Sequence, residues 1–358
     1  MRRVLKRILI ILLMCLSFAE FNAQDKRDVR DKIGFCWNAD EMDRFVDWLN
    51  KNSDDNVDFK GRLIAAVSVH DDYLYAGKVY HPLFKLIDAK EVIILGVTHS
   101  TVRKELGNFR NKLILENHKA WRGIYNDVNI SPLREIIKKR LPRDYYTVNN
   151  RAHQIEHSIE AVIPFLQFYN KEIKITPLMV PAMNRDSMEL ISGELSEIIA
   201  GYIKENKLVL GKDIFILISN DANHYGVDFD NYPYGLDESA HNAAINNDLR
   251  IINDYLVGVI GREKIIGLYG ELIEGGNKTT PPLWCGRYPL LFGLTTVENI
   301  VDKLQLGNLH GALIKYSDTY TEKLLPFNGS SMGTTAPYSL DHWVGFFTLG
   351  FYIDGGGK

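Results

Sequence analysis

The chain has 358 residues, of which 46% are hydrophobic and 24% are charged, so it can fill a core of its own. This composition excludes a disordered or a fibrous protein. Basic and acidic side chains nearly balance, with 42 Lys plus Arg against 45 Asp plus Glu and a formal net charge of −3. A mildly acidic chain without a long basic stretch is not expected to have nucleic acid or an anionic membrane as its main partner.

The first 24 residues have the layout of a secretory signal. Basic residues open the chain, the apolar run of residues 8–19 follows, and small or polar residues come next. An apolar run of this length is too short to span a bilayer. We therefore expect a signal peptide over 1–24, cleaved to release a periplasmic or secreted protein of residues 25–358. An uncleaved anchor and lipidation at Cys15 are the alternatives.

Apolar runs rich in β-branched residues alternate with amphipathic stretches of helical length, a pattern typical of a mostly parallel sheet flanked by helices. The predicted strands are 62–69, 91–97, 173–180 and 213–219, followed by 311–317 and 343–352. The predicted helices are 39–51, 78–89, 153–170, 185–206, 237–256 and 288–300. Because no repeat or linker divides the chain after the signal, we predict one large α/β domain.

Polar side chains follow three of the predicted strands at the points where these strands end. His70 follows the first strand, His99 follows the second, and Asp221 and His224 follow the fourth. Carboxyl ends of parallel strands line one crevice, so these side chains are expected to converge. Two histidines with one anionic ligand would leave metal positions open for substrate or dioxygen. A lone histidine after a strand is more often a loop residue, although three at equivalent positions favour a site.

Cys36 and Cys285 are the two cysteines that follow the predicted signal. Cys285 stands just before a predicted helix whose first turn contains Pro289, and Arg287 is beside it. The positive end of a helix and a nearby guanidinium favour the thiolate, which would supply an anionic metal ligand. A buried structural thiol and a disulfide with Cys36 are the alternatives, and the residues alone do not choose among them.

The stretch from His153 to His157 has the order H-x-x-E-H, which is that of inverted zinc peptidases with Glu156 as general base. On a continuous helix, His153 and His157 would share a face with Glu160. A zinc peptidase also needs a third protein ligand, and no segment indicates one. We keep this function as a minor alternative.

A series of segments agrees in order and spacing with one known family. They are IGFCWNADEMDRFVDWL (33–49), VSVHDDYLYAG (67–77), ILGVTHS (94–100), EHSIEAVIPFLQ (156–167), ISNDANHYG (218–226), CGRYPLL (285–291) and GSSMGTTAPYS (329–339). In these segments the chain resembles the Memo family, known in bacteria as AmmeMemoRadiSam system protein B. The resemblance runs from about residue 32 to at least residue 339.

Memo proteins are similar in fold to class III extradiol ring-cleaving dioxygenases, whose iron(II) is held by two histidines and a carboxylate. In Memo proteins a cysteine takes the place of the carboxylate. The resemblance therefore implies an extradiol-dioxygenase-like α/β fold with a metal held by His70, His99 and Cys285. Iron(II) or copper is the expected metal, and zinc is less favoured, because a thiolate favours soft or redox-active metals.

The resemblance also implies a set of residues around the metal: Tyr73, Glu156, His157, Asp221 and His224. Of these, His157, His224 and Asp221 are the candidate catalytic groups, since a neutral imidazole near a metal-bound oxygen can take a proton. Asp72 and Arg287 adjoin the implied ligands and are candidates to contact substrate or support a ligand. The pair Asp71 and Asp72 departs from the usual Ala-Gly of the family, and by default it would face solvent.

These patterns lead to three hypotheses for function. We favour a metal-dependent, dioxygenase-like oxidoreductase whose substrate the sequence does not reveal. The alternative is a non-catalytic protein that binds a metal, a small molecule or a peptide in the same crevice, because Memo proteins are also described as binding phosphotyrosine peptides. The zinc peptidase is the third. Bacterial relatives are associated with cytosolic radical-SAM partners, and an exported protein would not readily keep that association.

Overall fold

The computed structural model describes residues 25–53, 60–275 and 281–354. The predicted signal peptide over residues 1–24, with Cys15, lies outside the described residues. In the part of the chain that is described, no helix combines the length and the apolar character needed to cross a bilayer.

A mixed sheet forms the centre of the protein. Its strands in chain order are β1 (Lys26–Arg27), β2 (Arg62–Ser68), β3 (Glu91–Val97), β4 (Leu113–Leu115), β5 (Ala120–Trp121), β6 (Val128–Ile130), β7 (Tyr146–Val148), β8 (Lys174–Val180), β9 (Ile214–Ser219), β10 (Asp221–Gly226), β11 (Gly258–Ile260), β12 (Leu309–Asp318) and β13 (His342–Ile353). The main path across the sheet is β1-β5-β6-β8-β3-β9-β2-β13-β12-β11, with β10 on β13 and β4 joining β7 and β8. Strands β6, β8, β3, β9 and β2 run parallel, whereas β13, β12 and β11 continue the sheet antiparallel.

Helices flank this sheet. The α-helices in chain order are α1 (Ala39–Asn52), α2 (Tyr73–Phe84), α3 (Ser100–Leu106), α4 (Leu133–Arg140), α5 (Asn150–Ile155), α6 (Ile163–Tyr169), α7 (Arg185–Glu205), α8 (Glu238–Ile251), α9 (Arg262–Tyr269), α10 (Arg287–Leu304) and α11 (Thr319–Glu322). Short 3-10 turns lie at Arg143–Tyr145, Glu160–Val162 and Val227–Phe229, and π-helical turns lie at Ile252–Leu256 and Gly270–Glu274.

The alternation of side chains along the buried strands divides the core into two layers. Ile93 and Leu95 of β3 pack in one layer with side chains of α7 and α10. Val92 and Ile94 of the same strand pack in the other layer with side chains of α1, α2 and α6. Successive residues of a strand point to opposite faces, so a strand that is apolar throughout needs a covering of helices on both sides. The predicted α/β domain with a mostly parallel central sheet flanked by helices is confirmed.

Each predicted strand is found within two residues of its expected bounds. Two predicted helices are wrong in position or extent. The helix predicted over 78–89 is α2, which begins at Tyr73, immediately after Asp72, and ends at Phe84. The Tyr73 amide donates to the Gly34 carbonyl at 2.9 Å, which fixes this early start.

The helix predicted over 153–170 is not continuous. Helix α5 ends at Ile155, Glu156 is extended (φ −99°, ψ 143°), and α6 begins only at Ile163. Pro164 lies in the first turn of α6, where its missing N–H breaks no helical hydrogen bond. Within a longer helix the same proline would remove a hydrogen bond and clash with the preceding turn. The prediction failed because it gave apolar spacing more weight than Pro164.

Candidate metal centre

Three neighbouring parallel strands, β3, β9 and β2, end at one crevice. His70 follows β2, His99 follows β3, and Asp221 opens β10 directly after β9. The rings of His70 and His99 have their centroids 5.1 Å apart. The convergence expected from the strand ends is therefore found.

A cavity of about 530 Å³ opens at this crevice, a volume suited to a small molecule. All the predicted metal ligands and candidate catalytic residues line it: His70, His99, His157, Asp221, His224 and Cys285. Aromatic side chains, including Phe35 and Phe229, and the loop residues Thr335 and Ala336 complete part of its wall.

The His70 ring is held so that one of its nitrogens faces Cys285 and Asp221. The Ser219 hydroxyl donates to the Ser158 carbonyl at 2.8 Å, so it can only accept from Nδ1 of His70, which lies 2.9 Å away. This hydrogen bond leaves Nε2 as the free nitrogen, 3.2 Å from Sγ of Cys285 and 3.3 Å from Oδ2 of Asp221. Such a partner on the second ring nitrogen is typical of metal-binding histidines.

The Glu156 carboxylate holds His99 in a similar way. Oε1 of Glu156 lies 2.7 Å from Nδ1 of His99, and Oε2 accepts the His99 amide at 2.9 Å. Oε1 also accepts the backbone amides of His157 and Ser158. Burial alone would raise the pKa of Glu156, but His99 and these N–H donors bring it well below its usual range. Burial likewise opposes protonation of His99, yet the carboxylate raises the pKa of His99 overall.

The three candidate catalytic groups surround these ligands. The His157 ring stacks on His99 with centroids 4.7 Å apart, and burial lowers the pKa of His157 to about 4. Burial also lowers the pKa of His224 to about 3, and its buried Nε2 has no hydrogen-bond partner among the residues that the structure describes. The Asp221 carboxyl accepts the His70 amide at 2.9 Å, while burial raises the pKa of Asp221 to about 7.

Two groups of side chains among the described residues have ligand atoms close enough to share a metal ion. One is His70, His99 and His157, and the other is His70, Asp221 and Cys285. His70 belongs to both groups, whereas His99 is only in the first and Cys285 only in the second. Neither group therefore contains all three predicted ligands. The donor set of imidazoles, one thiol and one carboxylate fits a transition metal better than Ca²⁺ or Mg²⁺, which prefer oxygen ligands.

Cys285 and Cys36 are both free thiols in the structure, so the disulfide alternative is not what the structure contains. Arg287 favours the Cys285 thiolate, as expected, but it is not the largest influence on this thiol. Burial raises the pKa of Cys285 well above its usual value, and nearby Asp221 adds to this effect while Arg287 only partly opposes it. A cation bound beside Cys285 would favour its thiolate.

The other predicted residues lie in different surroundings. Tyr73 does not line the cavity, because its hydroxyl donates to the Ala161 carbonyl at 2.5 Å and its ring is buried among aromatic side chains. Asp72 is buried and accepts the amide and hydroxyl of Thr335, so it does not face solvent. Burial raises the pKa of Asp72 to about 6. Arg287 lines the cavity and donates to the Trp284 carbonyl at 2.8 Å.

His153 lies apart from the cavity. One of its ring nitrogens, Nε2, is 2.9 Å from the Ile114 carbonyl, and its ring lies against Trp121. Because α5 ends before Glu156, His153 and His157 do not share a helical face. Neither potential metal group among the described residues includes His153. This arrangement removes the geometric basis for the H-x-x-E-H peptidase interpretation.

Sequence reasoning missed Ser219 and Ser158, which together orient His70. Ser219 ends β9 within the segment 218–226, two residues before Asp221, so its position was visible. Its role was not, because the hydrogen bond to His70 joins residues that are 149 positions apart.

The family model for Memo-like proteins matches residues 35–323, which is most of the chain. The chain belongs to the Memo family. Among curated proteins, it is 30% identical over 158 residues to a MEMO1 family protein of Aquifex aeolicus, covering 44% of this chain and 52% of that protein. It is 26% identical over 221 residues to one from Thermococcus kodakarensis, covering 56% of this chain and 66% of that protein.

A MEMO1 family protein of Saccharolobus islandicus is 26% identical over 241 residues, covering 65% of this chain and 71% of that protein. This chain thus matches about half of the length of the Aquifex protein and about two thirds of the length of the Thermococcus protein. The family model begins at Phe35 and extends past Cys285, so it includes all six cavity residues discussed above.

Proposed function

We propose that this Memo-family protein binds iron(II) or copper through His70, His99 and Cys285 and acts as a metal-dependent oxidoreductase. The observation that carries the proposal is the position of His70. Its Nδ1 is occupied by Ser219, while its free Nε2 lies 3.2 Å from the Cys285 thiol. His70 and Cys285 are thus held close together as a preorganised pair of metal ligands.

His99 supports the same conclusion. Glu156 occupies its Nδ1, which leaves Nε2 as the nitrogen available to a metal. The carboxylate is itself fixed by the amides of His157 and Ser158, so the orientation of His99 does not depend on solvent. His157 and Asp221 lie next to the proposed ligands and are the residues that could replace one of them.

A bound iron(II) or copper ion would supply redox chemistry and open positions for a substrate or dioxygen. The protein itself would supply the cavity, which is large enough for a small molecule and is lined by both polar and apolar side chains. His224 lines this cavity, and we propose that its ring exchanges a hydrogen bond or a proton with a molecule bound there.

Elemental analysis of protein purified without chelator tests the proposal. We expect near-stoichiometric iron or copper, lost in Cys285→Ser and in His99→Ala. Matched controls are Cys36→Ser, which removes a buried thiol outside the cavity, and His310→Ala, which removes a histidine paired with Asp354. Both controls should retain the metal. Asp221→Asn and His157→Ala then show whether either residue is also a ligand.

Three outcomes would contradict the proposal. Metal-free protein would favour the binding of a peptide or small molecule without redox chemistry. Zinc in place of iron or copper would remove the redox role, and metal retained in Cys285→Ser and His99→Ala would place the site elsewhere. If iron or copper is present, oxygen uptake with catechols tests the dioxygenase-like reaction against the two ligand variants.

A further inference from the structure

A buried carboxylate outside the cavity connects two segments of the candidate site. Asp248 lies in α8 and is fully buried. Its Oδ1 accepts the indole N–H of Trp284 at 2.8 Å, and its Oδ2 accepts the Tyr316 hydroxyl at 2.8 Å and the Asn223 amide at 3.3 Å.

Two of these donors stand next to residues of the site. Trp284 directly precedes Cys285, and Asn223 lies between Asp221 and His224. Each segment is therefore held by a different oxygen of one carboxylate. An Asn in place of Asp248 would keep the shape of the side chain but would have an NH₂ group in place of one oxygen. An NH₂ group accepts no hydrogen bond, so either the Trp284 indole or the Asn223 amide would lose its acceptor.

The same two segments also contact each other directly. The Leu283 amide donates to Oδ1 of Asn223 at 3.2 Å, and the His224 amide donates to the Leu283 carbonyl at 3.0 Å. Asn223 and Trp284 form an antiparallel bridge. A change at Asp248 would consequently act on the junction that places Cys285 beside the strand carrying Asp221.

A buried carboxylate at this position is energetically costly. Burying an ionised group without a cation carries a large desolvation penalty, and the partners of Asp248 are N–H and O–H donors. Burial raises the pKa of Asp248 to about 7, in keeping with that penalty. The Trp284 ring also packs on Phe347, with centroids 5.3 Å apart.

We propose that Asp248 is a positioning residue that sets the place of Cys285 relative to His70 by holding Trp284 and Asn223 together. The inference rests on the proposed function in one respect only, namely that Cys285 is a metal ligand. The inference predicts that Cys285 is tightly held even without a metal, because the contacts of Asp248 with Trp284 and Asn223 all lie within the chain.

The test is the rate at which iodoacetamide alkylates Cys285 in the folded, metal-free full chain, read by peptide mass spectrometry with Cys36 as internal reference. We expect Asp248→Asn and Trp284→Phe each to speed alkylation of Cys285 by at least about threefold, with Cys36 unchanged. The double variant should be no faster than the faster single variant, because both changes remove the same contact. Trp284→Phe removes the indole N–H but leaves Asp248 and an aromatic ring in place, so it remains informative if Asp248→Asn does not fold.

Glu116→Gln is the matched control, since Glu116 is a buried carboxylate whose partners are Arg134 and His118. It should leave the Cys285 rate unchanged. Three results would overturn the inference. The alkylation rate of Cys285 could be unchanged in folded Trp284→Phe, or alkylation of Cys285 and Cys36 could speed up equally. In the double variant, the accelerations of the two single variants could multiply. Absence of bound metal would defeat the proposed function but leave this measurement intact.

Discussion

Nδ1 of His99 lies 2.7 Å from Oε1 of Glu156, although 57 positions separate the two residues in the chain. The contact exists because the chain leaves the helical conformation at Glu156. The extended backbone at this position brings the carboxylate to the end of β3 and turns the amides of His157 and Ser158 onto it. The interrupted helix is thus what gives the candidate site its anchored histidine.

Glu156→Gln should weaken metal binding by about 10- to 100-fold, the usual effect of losing the residue that orients a ligand. A glutamine presents one acceptor where the carboxylate serves four donors, so His99 would lose part of its anchor. Competition with a chelator measures the affinity. Glu41→Gln removes a buried carboxylate that binds Ser330 and Ser331, and it should leave the affinity unchanged. Equal losses in both variants would contradict a specific role for Glu156.

Gly286→Ala should reduce metal content, because the added Cβ would lie 2.5 Å from Cα of Asn220. That contact involves backbone, so the segment containing Cys285 must move. Gly193→Ala is the control, since its Cβ meets nothing within 4 Å inside helix α7. It should bind metal normally and gain about 0.5–1 kcal/mol of stability. Elemental analysis and thermal unfolding of both variants check the pair, and full metal content in Gly286→Ala would contradict the packing argument.

Arg27→Met should destabilise the protein by about 3–5 kcal/mol, the usual cost of breaking a buried ion pair on one side. The Arg27 guanidinium pairs with buried Glu160 and also donates to the carbonyls of His153 and Glu156. Chemical denaturation measures the loss. Adding Glu160→Gln should recover part of it, because the unpaired buried charge is then removed. A double variant less stable than Arg27→Met would show that Glu160 is held mainly by other groups.

His153 should make the folded state less stable in acid. Burial lowers the pKa of His153 to about 3 in the folded protein, against about 6.5 in the unfolded chain. Between these values the unfolded chain binds the extra proton, so the contribution of His153 becomes unfavourable as the pH falls below about 6.5. His153→Gln should therefore gain about 2 kcal/mol relative to the wild type between pH 7 and pH 5. Urea unfolding at both pH values checks this, and a difference that does not change with pH would show that His153 protonates freely.

The strand ends were predictable from the sequence for a simple reason. A run such as residues 91–97 is short, apolar at almost every position and rich in β-branched residues, which favours a strand buried on both faces. The carboxyl ends of parallel strands lie on the same edge. His70 and His99 could be paired from these local patterns alone. Cys285 joined them only through the family resemblance, since its residues left a buried thiol or a disulfide equally open.

The interruption at Glu156 marks the limit of that reasoning. Apolar spacing favoured a continuous helix, whereas Pro164 and the contacts of Glu156 with His99 decided otherwise. Tyr73 was placed at the site by resemblance, but its hydroxyl is used by the Ala161 carbonyl. Pro164 was a local signal that the prediction underweighted, whereas the partners of Glu156 and Tyr73 lie far away in the chain, where no local pattern contains them.

The sequence alone was enough to predict the alternation of strands and helices, the edge at which His70 and His99 meet, and the family. These follow from periodicity and from motifs read along the chain. Three features became visible only in the folded structure: the ring nitrogen that His70 presents, the contact of the Cys285 thiol with it, and the link from Asp248 to Trp284. The physical reason is that hydrogen-bond partners and burial are set by packing between distant segments, and both act on a side chain only after the fold has formed.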